Sequence, residues 1–204
     1  MTEKNQQYFA SNPESAHDFR SFSYDFAGKK LFFKTDAGVF SKNRIDYGTQ
    51  VLLCTVYENY DKIPAGPILD LGTGYGPVGI CLKAIDPKRA IEMVDVNQRS
   101  LGLAAQNLAE NGLSAKLYLS DRYQKVNGNF AAIIVNPPIR AGKKIVTDML
   151  TGAYDHLLKN GSIFAVLQKK QGAPSAEKNL LKKFDNCQII KRDKGYYVLR
   201  SVRN

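Results

Sequence analysis

Histidine and cysteine are scarce in this chain. Of 204 residues, only His17 and His156 are histidines, and the cysteines are Cys54, Cys81 and Cys187. No group of them has the spacing of a zinc site, so no metal is expected. An odd number of cysteines without paired spacing excludes a disulfide framework and fits reduced, buried thiols. Long apolar runs are also missing. None approaches the roughly 18 residues that a membrane-spanning helix needs. Residues 1–7 lack the charged-then-apolar form of a secretory signal. A cytoplasmic protein with no membrane partner is the expectation, as a monomer or weak dimer. Acids are the third shortage: 19 Asp and Glu stand against 29 Lys and Arg, a formal net charge of +10. Such an excess favours an anionic partner, and nucleic acid is the commonest one.

What the chain does have is a hydrophobic content of 44%, ordinary for a globular protein. One stretch organises the rest: Ile68-Leu69-Asp70-Leu71-Gly72-Thr73-Gly74-Tyr75-Gly76-Pro77. An apolar run closes on an acid, glycines follow at alternate positions, and a proline comes next. This predicts a buried strand, a tight loop and the first turn of a helix. Glycine lets the loop take positive φ and lets a ligand approach the backbone. Pro77 suits the first helical position, where no N–H is needed. Val78, Cys81, Leu82 and Ile85 then mark one apolar helix face. A dinucleotide fingerprint, G-x-G-x-x-G, would put its third glycine where Pro77 stands, which disfavours a nicotinamide cofactor. The stretch instead resembles the D/E-x-G-x-G-x-G loop of S-adenosylmethionine enzymes. The resemblance implies that Gly72, Gly74 and Gly76 line the cofactor and that Asp70 helps hold its cationic end.

The chain alternates strands with amphipathic helices. Residues 1–18 read as an arm, and Phe19 to Lys34 as a β-hairpin with Asp36-Ala37-Gly38 as a turn. A helix is predicted from about Tyr47 to Tyr60. Strand two covers Ala90 to Asp95, Asn97 caps the next helix, and strands three and four cover Ala115 to Leu119 and Phe130 to Val135. A helix from about Lys143 to Leu158 is predicted to stop at Asn160-Gly161. Strand five runs from Ser162 to Leu167 and a last helix from Pro174 to Phe184. A terminal hairpin turns at Asp193-Lys194-Gly195. This pattern predicts an α/β fold, a Rossmann-like seven-stranded, mostly parallel sheet with an antiparallel C-terminal hairpin. Residues 1–46 are expected to form an N-terminal arm and hairpin extension packed on the core, and 47–204 the α/β domain itself. No internal repeat is present.

In such sheets, ligands sit beyond the carboxyl ends of the strands. Asp70, Asp95, Asp121 and Asn136-Pro137-Pro138 end the first four, so all point to one rim. Asp95, at the end of strand two, can accept both hydroxyls of a ribose. Asp121 can accept the amino group of an adenine. The Asn136-Pro137-Pro138-Ile139 stretch resembles the N-P-P-[Y/F/W] signature of methyltransferases that act on amino nitrogens. An exocyclic amine is a weak nucleophile because its lone pair is delocalised. The Asn136 side-chain oxygen and the Pro137 carbonyl can accept its two N–H bonds and orient it towards a methyl sulfonium. Pro137 and Pro138 stiffen the backbone that aims those acceptors.

Over nearly its whole length the sequence resembles the RsmC-like methyltransferases, guanine-N2 enzymes of small-subunit ribosomal RNA. The likeness rests on Tyr8-Phe9 with Asn12-Pro13, Phe40-Ser41, the Asp70 to Pro77 loop, Val94-Asp95-Val96-Asn97, Asn136 to Lys143 and Gln168-Lys169-Lys170-Gln171-Gly172-Ala173. It implies S-adenosylmethionine as cofactor, with Asn136 also at the cofactor, and ribosomal RNA or the small subunit as partner. Two-domain members carry a second, degenerate copy at the N-terminus, for which this chain is too short. Ile139 stands where many relatives have an aromatic residue, so a flipped base would pack on an aliphatic side chain. The substrate side of the site is expected to include Phe40, Ile139, Arg140, Lys143, Lys144 and Lys169. Lys170 lies on the same rim, and Lys29, Lys30 and Lys34 lie on the hairpin, where they would contact phosphates. A protein glutamine-amide methyltransferase would use the same Asn-Pro-Pro chemistry but usually has Tyr at the place of Ile139. A non-catalytic RNA-binding protein of the same fold would not need Asp70, Gly72, Gly74, Asp95 and Asn136 together.

Overall fold

The computed structural model describes residues 18–36 and 43–204. Strands β1 (Arg20–Phe26) and β2 (Lys29–Thr35) form the expected N-terminal hairpin. Ala27 and Gly28 turn it with φ of 49° and 76°, the positive pair that suits the twist of a two-residue hairpin. There follow α1 (Tyr47–Glu58), β3 (Ile68–Leu71), α2 (Pro77–Ile85), β4 (Ile91–Asp95), α3 (Gln98–Glu110), β5 (Lys116–Leu119), β6 (Phe130–Val135), α4 (Lys143–Thr151), β7 (Leu157–Gln168), α5 (Ala173–Phe184), β8 (Gln188–Asp193) and β9 (Tyr196–Val202). The sheet order is β5-β4-β3-β6-β7-β9-β8. The first five of these run parallel, and β9 lies antiparallel between β7 and β8. This is the predicted α/β, Rossmann-like, seven-stranded sheet. Strand order reverses between β3 and β6, which opens a crevice at their carboxyl ends.

Alternation along the strands sorts the core into two layers. Ile68 and Ile134 face α1, α2, α3 and the hairpin, where Leu52, Val56, Ile80, Leu103 and Phe33 pack. Leu69, Leu71, Ile133 and Val135 face α4 and α5, where Met149, Leu150, Leu180 and Phe184 pack. The hairpin is not a loose appendage. Phe26, Leu31 and Phe33 are buried, and the rings of Phe22 and Phe33 lie 6.3 and 6.0 Å from that of Tyr75 in the glycine loop. Asn107 on α3 and Asn111, which caps that helix one turn later, take the place of a neighbouring strand along β2. Asn111 accepts the N–H of Phe32 at 2.9 Å and donates to its carbonyl at 2.8 Å. Asn107 does the same for Lys34 at 2.7 and 3.0 Å, and also donates to the Tyr75 carbonyl at 2.9 Å.

Three expectations are corrected. The helix after the Asn-Pro-Pro loop ends at Thr151, passes through a 3-10 turn at Gly152–His156, and β7 begins at Leu157. Tyr123 explains the stop: its hydroxyl donates to the Met149 carbonyl at 2.7 Å, and its ring stacks on His156 at 4.7 Å. Asn160-Gly161 ends no helix. It forms an irregularity within β7, with Asn160 at φ 64° and Gly161 accepting the Arg203 N–H at 2.9 Å. Cys54 is exposed and Cys187 half-buried, so only Cys81 is the expected buried thiol. Phe40, Ser41, Tyr8-Phe9, Asn12-Pro13, His17 and Ala37-Gly38 lie outside the described residues. Among the described residues, no helix is long and apolar enough to cross a membrane, and no His, Cys, Asp and Glu cluster suits a metal.

Candidate active site

Asp70 lies one residue before the end of β3 and is 3% exposed. Its Oδ2 accepts the Thr73 hydroxyl at 2.6 Å and the Gly79 N–H at 2.9 Å. One donor belongs to the glycine loop and the other to α2, so the acid ties strand, loop and helix together. Burial raises its pKa from 3.8 to about 6, against the lowering effect of those two hydrogen bonds. The loop itself hangs on β4, where the Val94 carbonyl accepts the N–H groups of Gly72 and Thr73, each at 2.9 Å. Gly76 has φ 97°, and a Cβ there would stand 2.8 Å from Ile80 and 3.0 Å from Met93. At Gly74, φ 58°, a Cβ would meet nothing within 4 Å. The backbone there borders open space, where a ligand can come close.

Asp95 closes β4 and joins the same loop. Its Oδ2 accepts the Gly74 N–H at 2.8 Å and its Oδ1 the Asn97 N–H at 2.8 Å. Burial raises its pKa, opposed by backbone hydrogen bonds from Asn97, Gly74 and Val96. Each oxygen keeps accepting capacity for a further donor. Asn97 caps α3 as expected, accepting from Arg99 and Ser100 at 2.9 and 3.2 Å. Asp121 is differently placed. It is half-exposed, and Arg122 grips it with Nε at 2.8 Å and Nη2 at 2.9 Å. That fork holds its carboxyl below the usual range. Gln124 donates to it as well, at 3.2 Å, and Arg122 also reaches Asp148.

Asn136 follows β6 and stands half-buried beside this loop, since β6 pairs with β3 through Leu71↔Val135. Its Nδ2 donates to the Thr49 hydroxyl at 2.9 Å. Among the described residues none donates to its Oδ1. Pro137 is buried, and a 3-10 turn over Ile139–Ala141 follows. Ile139 packs against the α4 and α5 side of the core. Arg140, Lys143 and Lys144 are exposed just beyond, the two lysines opening α4. Cations at a helix N-terminus oppose the helix dipole, so these are not there for helix stability. Lys169 and Lys170 are exposed after β7, which ends on the same rim because it runs parallel to β6. Asp70, Gly72, Gly74, Gly76, Asp95, Asn136, Arg140, Lys143, Lys144 and Lys169 are thus brought to one rim. Asp121 sits at the outer end of that rim, engaged by Arg122.

A model of the methyltransferase small domain matches residues 30–200. The chain belongs to this family. This methyltransferase is 38% identical to the uncharacterized protein YbxB of Bacillus subtilis (strain 168) over 201 residues, 97% of this chain and 98% of that one. It is 33% identical to ribosomal RNA small subunit methyltransferase C of Haemophilus influenzae (strain ATCC 51907 / DSM 11121 / KW20 / Rd) over 171 residues, 82% of this chain and 49% of that one. A solved T. thermophilus 16S rRNA N2 G1207 methyltransferase (RsmC), in complex with AdoMet and guanosine, superposes with a TM-score of 0.83 at 25% identity. The match covers 94% of this chain and 52% of that one. The chain spans about half the length of these two ribosomal RNA methyltransferases. The likeness to RsmC-like class I methyltransferases drawn from the sequence is borne out.

Several working residues escaped the sequence reading. Thr73, which braces Asp70, carries no signal beyond its place in the motif, and Gly79, which also braces it, lies past the motif within α2. Asp46 and Thr49, the partners behind Asn136, show only the pattern of a helix cap. Asn107, which joins the hairpin to the glycine loop, reads as an ordinary polar residue of α3.

Proposed function

We propose that this methyltransferase uses S-adenosylmethionine to methylate an exocyclic amine of ribosomal RNA, guanine N2 of the small subunit, in the cytoplasm. What carries this reading is Asn136: an amide whose nitrogen is engaged by Thr49 and whose oxygen is left to accept, on the rim beside the glycine loop. The relatives supply the substrate class, since both ribosomal RNA enzymes act on the small-subunit RNA by name. The net charge of +10 agrees with an RNA partner.

The residues present fit the cofactor. Asp95 offers two carboxylate oxygens for the ribose hydroxyls, and the open backbone at Gly74 allows a close approach. Asp70 acts from behind the loop, through Thr73 and Gly79. When bound, S-adenosylmethionine supplies an electrophilic methyl group on its sulfonium. The protein's part is to aim the amine at it. Asn136 Oδ1 and the Pro137 carbonyl accept the two N–H bonds of the target nitrogen, which turns its lone pair away from the base plane. The basic rim holds the RNA by its phosphates, and Ile139 borders the flipped base.

The test is a single-turnover assay with saturating cofactor. Asn136→Ala should slow methyl transfer about 10²–10³-fold, as when one preorganised polar contact is lost, and leave RNA affinity nearly unchanged. Asn136→Asp should keep partial activity, because a carboxylate still accepts. Nucleoside mass spectrometry of ribosomal RNA from cells with and without the protein identifies the product. Parent-rate transfer by Asn136→Ala would make the loop structural and sink the assignment.

A further inference from the structure

We infer that Asp46 and Thr49 are positioning residues that decide which way round the amide of Asn136 faces. This rests on the proposal that Asn136 holds the target amine. Asp46 caps α1: its Oδ1 accepts the Thr49 N–H at 3.2 Å, and its Oδ2 accepts the Thr49 hydroxyl proton. An ionised carboxylate has no proton to give. The one hydroxyl proton of Thr49 is therefore committed to Asp46, and only lone pairs of Thr49 Oγ1 face Asn136. The Asn136 atom 2.9 Å away must then be the NH2 group.

Oxygen and nitrogen of an amide are nearly alike in shape, so it is the hydrogen-bond chain that assigns them. With Nδ2 held by Thr49, Oδ1 turns to the rim as an acceptor, which is what an –NH2 target needs. The reversed amide would set donor against donor and repel the substrate nitrogen. Thr49 is only 4% exposed, so water does not compete for its lone pairs. Helix capping alone accounts for the Oδ1 contact. It does not account for the second Asp46 oxygen on the hydroxyl, nor for the reach of that hydroxyl to a residue 87 positions away.

The test separates capping from positioning. Asp46→Asn keeps the cap, since Asn caps as well as Asp. It also lets an NH2 face Thr49, which turns the hydroxyl proton towards Asn136 and favours the reversed amide. With small-subunit particles from cells lacking the protein and saturating S-adenosylmethionine, Asp46→Asn and Thr49→Val should each slow single-turnover transfer roughly 10–100-fold, the size of loss known for residues that orient a metal-binding side chain by hydrogen bonding and taken here for one that orients Asn136. Both should bind RNA and cofactor as the parent does, and Asp46→Asn should also melt with it, whereas Thr49→Val, which leaves Asp46 and Asn136 short of a partner, should melt lower while staying folded at the assay temperature. Thr49→Ser should restore the rate. Combined with Asn136→Ala, neither change should slow transfer further. Parent-rate transfer by Asp46→Asn and Thr49→Val, with Asn136→Ala slow, overturns the inference and leaves the role of Asn136 standing. An additive loss in the Asn136→Ala background also overturns it, because Asp46 and Thr49 would then act elsewhere. If Asn136→Ala itself runs at the parent rate, the underlying reading fails and the inference falls with it.

Discussion

Asp95 accepts the backbone N–H of Gly74 at 2.8 Å, so the acid that ends β4 holds the loop that leaves β3. One carboxylate shapes the glycine loop and, under the proposed function, also takes the ribose hydroxyls. Removing it should weaken cofactor binding on two counts.

Asp95→Ala is expected to lower S-adenosylmethionine affinity by about 1.5–3 kcal/mol, the worth of hydrogen bonds to a charged group. Calorimetry measures it directly, and circular dichroism checks that the variant folds. Unchanged affinity in a folded variant would reduce Asp95 to a turn residue.

Asp70 makes stability depend on pH in an unusual direction. Its carboxyl titrates at about 6 in the folded protein against 3.8 ordinarily. The folded state therefore binds the proton more tightly than the unfolded chain. The contribution of Asp70 is greatest below pH 4 and is lost as pH rises through 6, in total by about 3 kcal/mol. Asp70→Asn cannot titrate and keeps an acceptor for Thr73 and Gly79. Relative to the parent it should gain stability between pH 4 and 6. Urea unfolding of both proteins across this window checks the prediction, and parallel stability curves would refute it.

The two loop glycines should respond differently to one methyl group. Gly76→Ala forces a Cβ to 2.8 Å from Ile80 at φ 97° and should cost about 2–4 kcal/mol, from strain and overpacking together. Gly74→Ala has free space and φ 58°, so its cost is only the left-handed backbone, about 1–2 kcal/mol. Denaturant midpoints rank them. Equal losses would mean that packing around Gly76 yields easily.

RNA binding should fall steeply as salt rises. Arg140→Ala or Lys144→Ala should weaken it and reduce the slope of log K against log salt by roughly 0.7–0.9 for each phosphate contact removed. Cofactor affinity should stay the same. Filter binding between 50 and 200 mM salt is sufficient, and an unaltered slope in both variants would move the docking surface elsewhere.

Most of the sheet was legible because its cues are local. Three of the five parallel strands, β3, β4 and β6, are short apolar runs that close on or beside Asp70, Asp95 or Asn136, and the helices α2 to α5 open with Pro77, Asn97 or a glycine. The insertion of β9 between β7 and β8 has no local cue, since a hairpin can add to a sheet by either strand. Asn160-Gly161 was misread because a helix stop and a strand irregularity use the same positive-φ residues. Tyr123, which ends α4, lies more than twenty positions upstream of Thr151. The rim acids were found from strand ends alone, but the Arg122 fork on Asp121 and the Thr49 contact of Asn136 depend on tertiary approach. No pattern in the sequence announces either.

Asn107 joins the hairpin and the glycine loop into one cooperative unit. Its fully buried amide serves Lys34 on one side and the Tyr75 carbonyl on the other. Peeling the hairpin from α3 would leave that amide half-satisfied and bare the Tyr75 ring, so the loop must loosen as the hairpin opens. The amide protons of Phe32 and Lys34 should then exchange with solvent only as fast as the loop opens. A ligand that steadies the loop from its far side should slow that exchange in a strand it never touches.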